Sequence, residues 1–88
     1  MLTLIDFYAD WCGPCKVMKP VFEKIAPDYA NKVEFKKIDV EEETEMSSKF
    51  GIMSIPTFVI LENDRELDRK MGAMPEQALR NWIDSHLQ

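Results

Sequence analysis

Leu2 to Ala9 form an apolar run interrupted only by Thr3 and Asp6. That is the pattern of a strand covered on both faces, and so of a central strand in a parallel sheet. From Pro14 onward Val17, Met18, Val21, Phe22, Ile25 and Tyr29 recur at helical spacing opposite Lys16, Lys19, Glu23 and Lys24, which predicts an amphipathic helix. Pro20 removes a backbone donor and predicts a kink near Lys16, while Pro27 predicts distortion or the end of the last turn.

Val33 to Val40 predicts a second strand. Val33 and Phe35 share one parity and Ile38 and Val40 the other, which predicts a register slip at Lys36-Lys37, a pair suited to an exposed edge. Glu41 to Phe50 predicts a short helix with an acidic first turn, Met46 and Phe50 one turn apart, and Gly51 as C-cap. Thr57 to Leu61, the turn residues Glu62-Asn63-Asp64, and Arg65 to Met71 predict a hairpin. Pro75 suits the first turn of a last helix whose inner face is Ala78, Leu79, Trp82, Ile83 and Leu87. The order is that of an α/β domain spanning residues 1–88, with Phe22, Phe50, Phe58 and Trp82 in its core.

Size leaves no room for a second domain, since a chain of 88 residues buries only about 60 to 65% of its unfolded surface. Eleven Lys and Arg against 16 Asp and Glu give a net charge of -5, which repels a phosphate backbone and an anionic membrane. No apolar run approaches the roughly 20 residues of a membrane span. The opening Met1-Leu2-Thr3-Leu4-Ile5-Asp6 lacks the basic start and cleavage site of a secretory signal, so the expected compartment is the cytoplasm.

The only two cysteines, Cys12 and Cys15, stand in Trp11-Cys12-Gly13-Pro14-Cys15-Lys16, where a strand hands over to a helix. A loop this short gives only about 2 kcal/mol on closure, little for a structural staple. A helix start also aims unpaired N–H groups and a positive dipole end at the first sulfur, which favours thiolate and makes Cys12 a candidate nucleophile. The alternative is part of a zinc site, which needs further ligands. His86 is the one nitrogen ligand on offer, and otherwise reads as a surface or packing residue. Asp6 is a second candidate, because a carboxylate in an apolar strand is raised in pKa by desolvation.

The stretch Asp6-Phe7-Tyr8-Ala9-Asp10-Trp11-Cys12-Gly13-Pro14-Cys15-Lys16 resembles the active-site strand and motif of the thioredoxin family. Pro20 resembles its helix kink, Gly51-Ile52 through Ile55-Pro56-Thr57 its proline loop, and Gly72-Ala73 its last surface loop. The resemblance implies the thioredoxin fold, a four-stranded mixed sheet of order 2-1-3-4 with the last two strands antiparallel, flanked by three helices. It also implies a protein-disulfide reductase with a redox-active Cys12-Cys15 disulfide and no bound cofactor or metal. In that reading Cys12 attacks a target disulfide, Cys15 resolves the mixed disulfide, and Asp6 deprotonates Cys15 through a water during that resolution. Pro56 would follow a cis bond, and Trp11, Gly13, Pro14, Met53, Ile55, Gly72, Ala73 and Met74 would receive the substrate. The implied partners are disulfide-containing proteins and a thioredoxin reductase or equivalent donor, with the chain acting as a monomer.

Two departures bear on these expectations. The strand and helix that usually precede the opening strand are missing, which predicts a minimal or truncated form with the Val33 to Val40 strand at a sheet edge. Phe35 takes the position where some bacterial relatives place a buried lysine, so a charge partner for Asp6 must come from elsewhere. Competing functions are a non-catalytic binding or scaffold subunit and a glutathione-coupled, glutaredoxin-like oxidoreductase, whose usual motif tyrosine is replaced here by Gly13-Pro14.

Overall fold

In the computed structural model, which describes residues 1–88, strands β1 (Leu2–Tyr8), β2 (Val33–Asp39), β3 (Thr57–Glu62) and β4 (Arg65–Met71) form one sheet in the order β2-β1-β3-β4. The helices are α1 (Gly13–Ile25), α2 (Thr44–Lys49) and α3 (Glu76–Ser85), with a 3-10 turn over Ala26–Tyr29. β1 pairs parallel with β2, while β3 runs antiparallel to both β1 and β4. The order and the antiparallel last pair match expectation, but the parallel surroundings expected of β1 hold only on its β2 side. An apolar run reports burial on both faces and not the direction of the neighbours.

Both faces of β1 are indeed covered. Leu2 and Leu4 join Phe58 and Ile60 beneath Met18, Phe22 and Ile25 of α1 and Leu79, Trp82 and Ile83 of α3. Ile5 and Phe7 join Ile38 and Val59 on the other face, against Met46, Phe50 and Ile52 in and after α2. Phe7 meets Phe50 at 5.5 Å between ring centroids, and Phe22 meets Phe35 at 4.9 Å. Burying each such side chain contributes about 1.5–3 kcal/mol.

This two-sided cover also removes the expected register slip in β2. The ladder runs unbroken from Leu2 opposite Val33 to Tyr8 opposite Asp39, because Phe35 packs on the α1 face and Ile38 on the α2 face. β2 is an edge strand, and Lys36 and Lys37 are exposed on it.

α1 runs through Pro20 without a break, then tightens into the 3-10 turn that contains Pro27. Its buried stripe is Cys15, Met18, Phe22 and Ile25, which leaves Val17 63% exposed rather than in the core. Ala78 is likewise exposed, since α3 buries only Leu79, Trp82 and Ile83. Both helices meet the sheet along seams narrower than the apolar stripe read from the chain. α2 is shorter than expected because Glu41 to Glu43 do not enter it. The Asp39 carboxylate accepts from the Glu41 N–H at 2.9 Å, and the Asp39 carbonyl accepts from Glu42 and Glu43 at 3.2 and 2.9 Å. A short acidic side chain thereby offers these backbone groups a turn in place of a helix.

Candidate functional site

β1 ends at Tyr8, and the turn after it is closed by the Cys12 N–H donating to the Ala9 carbonyl at 3.2 Å. Cys12 is the N-cap of α1, in extended conformation, and its Sγ accepts the Cys15 backbone N–H at 3.2 Å. The sulfur thus occupies the place of a capping oxygen, facing donors the first helical turn leaves unpaired. Cys12 and Cys15 form a disulfide with their Cα atoms 5.2 Å apart. Both are buried among Ala9, Tyr8, Val40 and Ile55, while neighbouring Trp11 is 65% exposed.

The proline loop reaches this pair from the other side. The Ile55–Pro56 bond is cis, and the Ile55 carbonyl oxygen lies 3.8 Å from Cys12 Sγ. Two bonds hold the loop: the Thr57 hydroxyl donates to the Ser54 carbonyl at 2.6 Å, and the Gly72 N–H donates to the Pro56 carbonyl at 2.8 Å. Gly72 adopts φ +90, a left-handed conformation that favours glycine. Met53 is 94% exposed, whereas Met74 is half-buried against the main core with its N–H donating to Met18 Sδ at 3.4 Å. Gly13, Pro14 and Ala73 are exposed.

Asp6 is buried in β1 with Oδ1 lacking any hydrogen-bond partner. Burial pushes its pKa up to about 7, and the Lys37 ammonium partly opposes that rise. Asp6 and Cys15 line one cavity of about 330 Å³, together with Tyr8, Lys19 and Lys37. Lys37 was not identifiable as a neighbour of Asp6 from composition. Only the strand register, which sets the two opposite each other, discloses it. His86 belongs to α3 packing, with Nε2 3.1 Å from Asp68 Oδ2.

A thioredoxin family model matches residues 1–85. The chain belongs to the thioredoxin family. It is 40% identical over 86 residues to thioredoxin from Staphylococcus aureus and 42% identical to that from Staphylococcus haemolyticus, in each case over 98% of this chain and 83% of the relative. A mutant thioredoxin from Halobacterium salinarum superposes with a TM-score of 0.90 at 36% identity, over 99% of this chain and 75% of that one. The germline-specific thioredoxin Deadhead from Drosophila melanogaster gives 0.89 at 39% identity, over 96% and 79%. The bonded Cys12-Cys15 pair in this family makes the chain a thiol-disulfide oxidoreductase, and disulfide-bearing proteins and reducing donors are the family's general partners. No helix is long and apolar enough to cross a membrane.

Proposed function

We propose that this thioredoxin-family chain works as a reductant of protein disulfides, as a monomer in the cytoplasm, with Cys12 as the attacking sulfur. The observation that carries the reading is the Cys12 sulfur in the capping position of α1, where the Cys15 N–H points at it. Backbone donors and the helix dipole at that place stabilise negative charge on sulfur.

In the reduced protein the Cys12 thiolate attacks one sulfur of the target disulfide, and the other target sulfur leaves with the electron pair and takes a proton. The Cys15 thiol gives its proton to Asp6 and attacks Cys12 Sγ. The bond between Cys12 and the target breaks as the Cys12-Cys15 bond forms, so two electrons have passed to the target. Asp6 suits the proton transfer because its pKa of about 7 lets it hold or release a proton near neutrality. The Ile55 backbone beside Cys12 supports an extended target segment paired there as an added strand, with Trp11 and Met53 as exposed apolar contacts. Pro56, Gly13, Pro14, Gly72 and Ala73 shape this surface, and Met74 supports it from the core side. A thioredoxin reductase or a similar donor restores the dithiol.

The test is insulin disulfide reduction with reductase and NADPH. The wild type is expected to turn over repeatedly and Cys12→Ser to lose activity. A Cys12→Ser protein that kept its biological effect would favour a scaffold role, and recycling by glutathione alone would favour the glutaredoxin-like reading.

A further inference from the structure

The loop from Gly51 to Pro56 is tied to β4 at both ends. At its start the Arg69 guanidinium donates from Nη2 to the Phe50 carbonyl at 2.8 Å, and Glu66 holds that guanidinium through Nε at 2.6 Å and Nη2 at 2.7 Å. At its end the Gly72 N–H donates to the Pro56 carbonyl at 2.8 Å. Between these ties the inward places are filled. Ile52 packs with Phe50 against the core on the α2 face, Ile55 packs against Ala9 and the two cysteines, and Pro56 is buried. Met53 is left facing solvent, the most exposed of the six methionines, two residues from the Ile55 carbonyl that lies beside Cys12 Sγ.

We propose that the Met53 thioether is a peroxide-sensitive modification site, whose oxidation to the sulfoxide weakens the capture of protein targets without altering the chemistry of Cys12 and Cys15. This rests on the reading above that targets dock on the surface around Ile55. One oxygen of hydrogen peroxide passes to Met53 Sδ: the S–O bond forms as the O–O bond breaks, the sulfur gives up two electrons, and the other oxygen leaves as water. A side chain that adapts to varied apolar partners thereby becomes a polar one, whose oxygen must give up its water wherever a target covers it.

Burial makes the reaction selective. Met18 is fully buried, and Met46 and Met74 are half-buried. Met1 and Met71 are exposed and open to peroxide as well, but neither lies on the loop beside Cys12. The two cysteines are joined, and no other thiol is present. Peroxide therefore meets no thiolate in the oxidised protein, and the rim of the site can be changed while its centre stays intact.

The experiment treats the oxidised protein with hydrogen peroxide, follows each methionine by peptide mass spectrometry, and then measures insulin reduction with NADPH and excess reductase. Met53 sulfoxide is expected to appear first and to raise KM for insulin roughly three- to tenfold at unchanged kcat. Alkylation of Cys12 in the reduced protein should be the same before and after treatment. Methionine sulfoxide reductases for both sulfoxide epimers should restore the starting KM. Met53→Leu has no sulfur at this position, so its KM, whatever its starting value, should not respond to peroxide. An unchanged KM in wild-type protein whose Met53 is fully converted overturns the proposal. So does an equal rise in Met53→Leu, which would place the effect at Met1 or Met71. Untreated protein that fails to reduce insulin overturns the docking reading and this proposal with it.

Discussion

The Cys15 backbone N–H donates to the sulfur of Cys12 at 3.2 Å, across one turn of α1. A sulfur in that position meets the same donors once the disulfide is opened, and they favour its anionic form. In the reduced protein, alkylation of Cys12 by iodoacetamide is expected to show a midpoint at least about one unit below the 8.5 of a free cysteine, with Cys15 reacting far more slowly. A pH–rate profile for each sulfur, followed by mass spectrometry, checks this. A Cys12 midpoint at 8.5 would remove the basis for calling it the nucleophile.

Buried Asp6 links this site to stability. Its unfolded value is near 3.8 and its folded value about 7, so the unfolded chain ionises first as pH rises. The contribution of Asp6 to stability is then greatest below about pH 4, declines between pH 4 and 7, and stays at the lower level above that. Three units correspond to roughly 4 kcal/mol, an upper figure because water entering the cavity softens the burial. Asp6→Asn removes the ionisation, and in the oxidised protein it should be more stable than wild type by about 2–4 kcal/mol at pH 8. At pH 4 the two should nearly coincide. Urea unfolding at both values measures the difference, and an equal gain at both would assign it to packing.

How much of this was legible in the chain follows from the range of each signal. The strand at Leu2 and the helix after Pro14 stand out because their periods are local, and the position of the two cysteines between them follows directly. α2 begins at Thr44 and not at Glu41 because the Asp39 side chain, and not helix preference, decides where Glu41 to Glu43 go. The two parities of β2 suggested a slip, yet they mark two covered faces, a fact about the neighbours of the strand. The cis bond at Pro56 has no local signature and entered only through family resemblance. Lys37 beside Asp6 depends on the β1–β2 register, which no single segment encodes.

Asp68 on β4 is expected to anchor α3. Its Oδ2 accepts from Trp82 Nε1 at 2.8 Å and lies 3.1 Å from His86 Nε2, and these bonds, that of Trp82 foremost, hold its carboxyl below the usual range. Removing the acceptor leaves the indole N–H of a buried tryptophan unpaired, so Asp68→Ala should cost about 1–3 kcal/mol at pH 7. Trp82→Phe in the Asp68→Ala background should cost less than in wild type. A double-mutant cycle by urea unfolding measures that coupling, and additive effects would show that the bond contributes nothing to stability.

The hairpin between β3 and β4 carries a strain that one substitution should relieve. Asn63 and Asp64 adopt φ 50 and 67, between the paired residues Glu62 and Arg65. A two-residue turn with both φ positive accepts Asn at its first place and prefers Gly at its second. Asp64→Gly should therefore stabilise the protein by about 0.5–1 kcal/mol, somewhat offset by the greater freedom of glycine in the unfolded chain. Gly51 provides the opposite case, since its φ is +61 and an added Cβ would meet nothing within 4 Å. Any cost of Gly51→Ala is then conformational, and about 1 kcal/mol is expected. Shifts of opposite sign in the urea midpoint, at unchanged m-value, check both. The turn lies at the end of β3 away from Pro56, so insulin reduction by Asp64→Gly should equal that of wild type. A loss of stability in Asp64→Gly would mean that the Asp64 side chain holds the turn more strongly than its backbone strains it.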